Sequence, residues 1–281
     1  MSLPSARLRA TLLLLLICAA STTARAAGRI LLILDDMGHA QGKALTEACF
    51  HLPNEVAFSI LPGASRASWV GRRCVREGRD HLAHLPWEPL QGERREPFFM
   101  ERSASLGHMR QQLERVRRIL PGMLGANNHQ GSRASMDTLF LDTFAQAWAP
   151  LGLPFLDSRS TADSRIPQRL EAAGIPVWEN HLFLDHVDTD EAIAAELVRL
   201  EGWARERDGV IAIAHPRPRS LRLLQNWLKH LPADLELVAA HKVLRPADPW
   251  LAGGSFRRPA PLSRAWAGPV EAPAAHSPME D

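Results

Sequence analysis

Five short stretches carry the residue types from which hydrolytic chemistry is built. They are "LILDDMG" with Asp35 and Asp36, "HLPWEP" with His84 and Glu88, "NNHQGSR" with Asn127, Asn128, His129, Ser132 and Arg133, "LDSRST" with Asp157 and Ser158, and "AIAHPRP" with His215. Two imidazole nitrogens and one carboxylate oxygen suit a divalent first-row ion, zinc above all, with positions left open for water and substrate. A second carboxylate off the metal can take a proton from that water, and a histidine across the cleft can protonate the leaving group. Hydrolysis of an amide or ester by metal-activated water is the reaction class that fits. Each group alone has a plainer explanation: an acid after a strand often caps the next helix, and a lone histidine often only donates a structural hydrogen bond.

The elements that must position these groups are legible from period. Apolar runs at 29–34, 55–61, 80–85, 123–127, 154–157, 177–184, 209–214 and 235–239 read as strands, several apolar on both faces as buried parallel strands are. Between them run helical stripes: Leu106, Met109, Leu113, Val116 and Leu120; Met136, Leu139, Phe140, Thr143 and Ala147; Ile193, Leu197, Leu200 and Ala204. Gly78, Gly152, Gly174 and Gly209 fall where helices should stop. About eight βα units without internal repeats predict a parallel sheet, either a closed or partly closed barrel or an open doubly wound sheet. In both, strand C-termini converge on one cleft, and each of the five stretches ends a strand.

Position narrows the choice further. Neighbours on an extended chain point opposite ways, so Asp35 and Asp36 need not share one job; a turn just past the strand can aim one at the ion and leave the other beside the water. His81 and His84 should face opposite sides, and His84, at the strand end, is the better placed for the cleft. His39 could line the site or sit on the surface. His181, Asp185 and His186 flank a strand end as peripheral candidates. Trp87, Phe98 and Phe99 could rim a sugar site or pack beneath the loop that carries them.

The remaining chain excludes other classes. Among 281 residues the formal charge is +2, too small to argue for nucleic acid or an anionic membrane surface. There is no tyrosine, so no step can use a phenol. Arg7 and Arg9, the apolar "TLLLLLICAA" and Ala24-x-Ala26 form a leader, 1–26, with an A-x-A cut site. Its apolar run of about ten residues is short of the roughly 20 that span a bilayer. The expectation is a periplasmic or secreted protein with no stable membrane span after cleavage. Residues 246–281, rich in Pro, Ala and Gly, read as a mobile tail, leaving 28–245 as a single domain. Cys49 and Cys74 could pair in an oxidising compartment or remain buried thiols.

Taken in order, "LILDDMG", "HLPWEP", "NNHQGSR", "FLDSRST", "LFLDH" and "IAIAHPRP" resemble the divergent polysaccharide deacetylase family, exported bacterial proteins related to the carbohydrate deacetylases. The resemblance covers about residues 29–245. It implies an α/β fold, a distorted (β/α) barrel of about seven parallel strands, and a bound divalent metal. It also implies Asp35 as base and Asp36 as metal ligand. Ordinary deacetylases of the superfamily take two further ligands from an H-x-x-x-H pair, a spacing that no two histidines have here; His84 and His129 stand in its place. His215 matches the acid catalyst, and Asp157 the region whose acid supports the base. Arg133 or Asp157 would orient the base or steady the oxyanion. The expected activity is removal of acetyl groups from a carbohydrate or peptidoglycan-type substrate. The alternatives are a non-catalytic periplasmic carbohydrate-binding or scaffold protein that keeps the fold, and metal-assisted hydrolysis of a peptide or phosphoester.

Overall fold

A strand with no polar face has no side to turn to water, so the run at 29–34 belongs inside a sheet. The computed structural model, which describes residues 28–39, 42–91, 96–207 and 209–244, puts it there. The expected leader and tail lie outside the described residues. Strand β1 (Gly28–Met37) pairs in parallel with β2 (Ala57–Ile60), β8 (Val210–Ala214) and β9 (Leu235–Leu237). The sheet continues from β2 through β3 (His81–Trp87), β4 (Ala126–Gln130), β5 (Phe155–Asp157) and β6 (Val177–Glu179), while β8 pairs β7 (Leu182–Phe183); every pairing is parallel.

The run expected as one strand over 177–184 is divided between β6 and β7, and the division closes the ring. These strands stand at opposite ends of the sheet yet are joined by Asn180 and His181. Asn180 N–H donates to Asp157 O at 2.8 Å, and His181 N–H donates to Ile211 O at 3.0 Å. One segment thus passes its hydrogen bonds from β5 to β8, and its side chains patch the joint: Asn180 Oδ1 accepts from Leu182 N–H, and His181 Nδ1 accepts from Ile211 N–H. The result is a distorted (β/α) barrel.

Helices α1 (Lys43–Phe50), α2 (Ala67–Glu77), α3 (Leu106–Ile119), α4 (Thr138–Trp148), α5 (Ile166–Ala172), α6 (Asp190–Arg207), α7 (Pro218–Lys229) and α8 (Ala240–Val243) complete it. Ser105 and Asp137 mark two of these starts, accepting hydrogen bonds from His108 N–H and Phe140 N–H and so capping α3 and α4. Of the four stop glycines, Gly78, Gly152 and Gly174 take left-handed φ.

Two apolar layers result. The inner one fills the barrel with Leu31, Ile33, Ala57, Leu82, Leu156, Trp178, Ile211 and Ile213. The outer one packs strands against helices, and its densest part is aromatic. Trp87 is fully buried, with Phe144, Phe140 and Phe155 centred 4.8, 5.0 and 5.3 Å away. That cluster corrects the stripe expected on α4. Phe140, Phe144 and Trp148 turn inward, and Leu139 is left 74% exposed. Cys49 and Cys74 are buried free thiols, which burial pushes up to about 12. Among the described residues no helix is long and apolar enough to cross a membrane.

Candidate active site

Strand alternation builds the site. Stepping by twos up the inner faces, Leu31 and Ile33 lead to Asp35, Ala57 to Ser59, Leu82 to His84, Leu156 to Ser158, Trp178 to Asn180, and Ile211 and Ile213 to His215. The apolar filling therefore ends in a polar layer at the C-terminal rim, where barrels of this kind carry their chemistry. Strand β4 adds Asn127, paired in register with His84 and Leu156, and two residues later His129. Asp35, Ser59, His84, Asn127, Ser158 and Asn180 are all buried.

The acid pair owes its geometry to a bulge. Leu34 pairs with Phe58 but Met37 with Ile60, so β1 carries one extra residue there. Asp36 absorbs it with φ 55°, a left-handed conformation that a non-glycine residue adopts only under strain. Both neighbours consequently face the cleft instead of alternating. Burial raises the proton affinity of Asp35, and the charge of Asp36 adds to this, while His84, His215 and the Asn127 hydrogen bond oppose it. Burial works in the same direction on Asp36, but His129 and His84 beside it hold its carboxyl well below the usual range.

Asp36, His84 and His129 form a group able to hold a metal ion. His84 Nε2 stands 3.3 Å from Asp36 Oδ1, His129 Nδ1 stands 3.1 Å from the same oxygen, and the two nitrogens are 3.2 Å apart. Ligands held at 2.0–2.1 Å in a tetrahedron around zinc are roughly 3.3 Å apart, so the triangle fits such an ion. Asp36 Oδ1 is buried without a hydrogen-bond partner although two imidazoles face it, as expected of an oxygen whose partner is a cation. The far nitrogens are also engaged: His84 Nδ1 lies 2.9 Å from Asn127 Oδ1, and His129 Nε2 lies 3.7 Å from Glu96 Oε1. Burial works against a charge on His129, but Asp36 and Glu96 outweigh it and raise its proton affinity to about 10. A cation arriving there would therefore have a proton to displace.

His215 faces the triangle, its Nε2 4.0 Å from Asp36 Oδ2. Its other nitrogen lies 2.8 Å from Asp185 Oδ1, and its own N–H donates to Asp185 Oδ2 at 2.8 Å. Ser220 Oγ donates to the same carboxylate at 2.6 Å, and Arg217 donates to Asp185 O. Burial opposes protonation of His215, but Asp185 prevails and raises it to about 9.

Other expected residues sit elsewhere. Arg133 reaches Leu90 O at 3.3 Å and Glu88 at 3.8 Å, tying down the loop after β3 and not touching Asp35. Glu88 is further engaged by Arg102. Asp157 shares the outer face of β5 with Phe155, by the parity that turns Leu156 and Ser158 inward, and its Oδ1 accepts from Arg159 N–H. Trp87 is core, while Phe98 and Phe99 are half-buried. His81 is buried on the face opposite His84, His186 and His39 are exposed, and His181 serves the ring joint. Two residues do more than their sequence position suggests. Asp185, a peripheral candidate by sequence, is the partner of His215. Asn127 reads from sequence only as a strand end, although it stands two residues from His129 and so shares its face. The lone hydroxyl of Ser59 in the apolar "AFSI" was the other available sign of a polar layer.

The C-terminal rim of this parallel (β/α) barrel thus gathers three histidines, His84, His129 and His215, around the Asp35–Asp36 pair. Residues 32–244 match the family model of the divergent polysaccharide deacetylases, and the chain belongs to that family. It is 29% identical over 221 residues to an uncharacterised protein of Haemophilus influenzae, covering 78% of each chain. It is 27% identical over 221 residues to the uncharacterised protein YibQ of Escherichia coli, covering 78% of this chain and 68% of that one. Among solved structures, the uncharacterised protein ATU2773 of Agrobacterium tumefaciens C58 superposes with a TM-score of 0.69 at 22% identity, covering 76% of this chain and 87% of that one. That likeness establishes the shared fold.

Proposed function

We propose that the chain is an exported, metal-dependent hydrolase that removes acetyl groups from an envelope carbohydrate, working in the periplasm after its leader is cleaved. One observation carries this reading: Asp35 stands beside the ligand triangle, 3.4 Å from His84 Nε2, without being one of its three corners. A protein that only bound sugar would have little use for that extra buried carboxylate.

A divalent ion in the triangle, zinc by donor type, would supply Lewis acidity toward an acyl oxygen and toward water near neutral pH. Asp36, His84 and His129 would hold it. Asp35, whose proton affinity burial has raised, accepts the proton of the attacking water as its oxygen bonds to the acyl carbon. His215, held as a cation by Asp185, then donates from Nε2 to the departing nitrogen or oxygen as the acyl bond breaks. Acetate and a free amine or alcohol result.

The test is Asp35→Asn. Acetate release from acetylated peptidoglycan fragments or other acetylated glycans should fall by about 100-fold or more, with zinc content per chain unchanged. Wild-type protein that is fully loaded yet inert toward these substrates would leave the carbohydrate-binding role in its place.

A further inference from the structure

Resting on that reading of the site, we propose that Asn127 is its positioning residue, one carboxamide that sets both the ligand His84 and the base Asp35. Asn127 is fully buried in β4, directly across from His84 in the strand register. Its amide nitrogen donates to Asp35 Oδ1 at 3.0 Å and Oδ2 at 3.1 Å, and to Ser158 Oγ at 3.0 Å. Its oxygen accepts from Ser59 Oγ at 2.5 Å and faces His84 Nδ1 at 2.9 Å. Both halves of the carboxamide are thereby used.

The consequence follows from donors and acceptors alone. Both Asp35 oxygens lie within 3.1 Å of the same Asn127 atom, so the NH2 end of Asn127 must face them; the reverse orientation would set three oxygens against one another. The oxygen end is then committed to His84, and His84 Nδ1 must carry the hydrogen. That leaves the lone pair on His84 Nε2, the atom 3.3 Å from Asp36 Oδ1 and 3.2 Å from His129 Nδ1. The same amide thus prepares a metal ligand by fixing its tautomer and pins the carboxylate that works next to it. Ser59 and Ser158, each fixed on an inner strand face, hold the amide plane from two sides.

Two variants of the full chain separate these roles. Asn127→Leu fills similar volume with no polar atom, and should weaken zinc binding by about 10- to 100-fold, measured by competition with a fluorescent chelator. In the metal-free protein, imidazole 15N spectra should then show His84 released from the Nδ1–H tautomer. Asn127→Asp keeps an acceptor for His84 and should restore both the tautomer and zinc binding. Because it offers Asp35 no N–H, its acetate release should stay depressed by about 100-fold. An unchanged His84 tautomer and zinc affinity in Asn127→Leu would overturn the proposal, as would wild-type acetate release in Asn127→Asp. If Asn127→Leu does not fold, Asn127→Ala carries the same zinc and tautomer measurements. A wild-type protein inactive on every acetylated glycan would remove the hydrolase reading but leave the zinc and tautomer comparison to decide the role of Asn127.

Discussion

Asp35 and Asp36 are adjacent and differ in proton affinity because of what surrounds each. Asp36 has His129 and His84 against it, which hold its carboxyl low, as the proposed metal ligand requires; Asp35 is more buried and holds a proton more readily, as the proposed base requires. Asp157 provides a separate test of burial, since it lies on the opposite face of its strand. Burial raises its carboxyl to about 6 from the ordinary 3.8. The folded state therefore binds this proton more tightly than the unfolded chain. Its contribution to stability is complete below the unfolded value and diminishes as pH rises from about 4 to about 6. Asp157→Asn should remove that slope. In urea unfolding, wild type should lose up to about 3 kcal/mol relative to the variant across this window; parallel pH profiles would show that Asp157 is hydrated after all.

Elements act on the site through register. The bulge in β1 turns two consecutive acids toward one cleft, which no regular strand could do. Between β7 and β8, Leu182 pairs with Ala212 and Phe183 with Ile213, and carrying that register two residues on sets Asp185 across from His215. The turn after β4 depends on Gly131. Its φ is 81°, and an added Cβ would come within 2.8 Å of Trp87 Cβ. Gly131→Ala should destabilise the fold by roughly 1–3 kcal/mol. The strained turn also adjoins His129, so zinc affinity should fall with it. A variant as stable as wild type, by thermal melting, would show that the β4 turn can shift away from Trp87 at no cost.

At the scale of the whole molecule, the proposed ligands come from three different strands, so an ion would tie β1, β3 and β4 together at the rim. Binding to the folded state alone should stabilise it by about 2.7 kcal/mol at free zinc of about 100 times Kd. For a domain of this size that is a rise in Tm of roughly 5–10 °C, reversed by a chelator. A melt indifferent to zinc would argue that the triangle binds no ion in the native protein. The ring closure matters at this scale too. Because Asn180 and His181 hand the pairing from β5 to β8, Ser158 and His215 arrive at the same rim although they belong to opposite ends of the sheet path.

Period and residue type by themselves determined a parallel α/β architecture, since strands apolar on both faces must be covered on both. They also determined that chemistry would gather at strand ends, because that is where polar residues interrupt apolar runs. Asp35, Asp36, His84, His129 and His215 were all recognisable on those grounds, and the family resemblance assigned their roles. Tertiary structure decided what depends on register and parity across strands that are distant in sequence. It turned Asp157 outward with Phe155 and drew Arg133 to the loop after β3. It brought Asp185 to His215 and Asn127 to both Asp35 and His84. Local sequence cannot specify such pairings: a shift of one residue in any strand exchanges its two faces, and only the packed barrel selects which of them looks into the cleft.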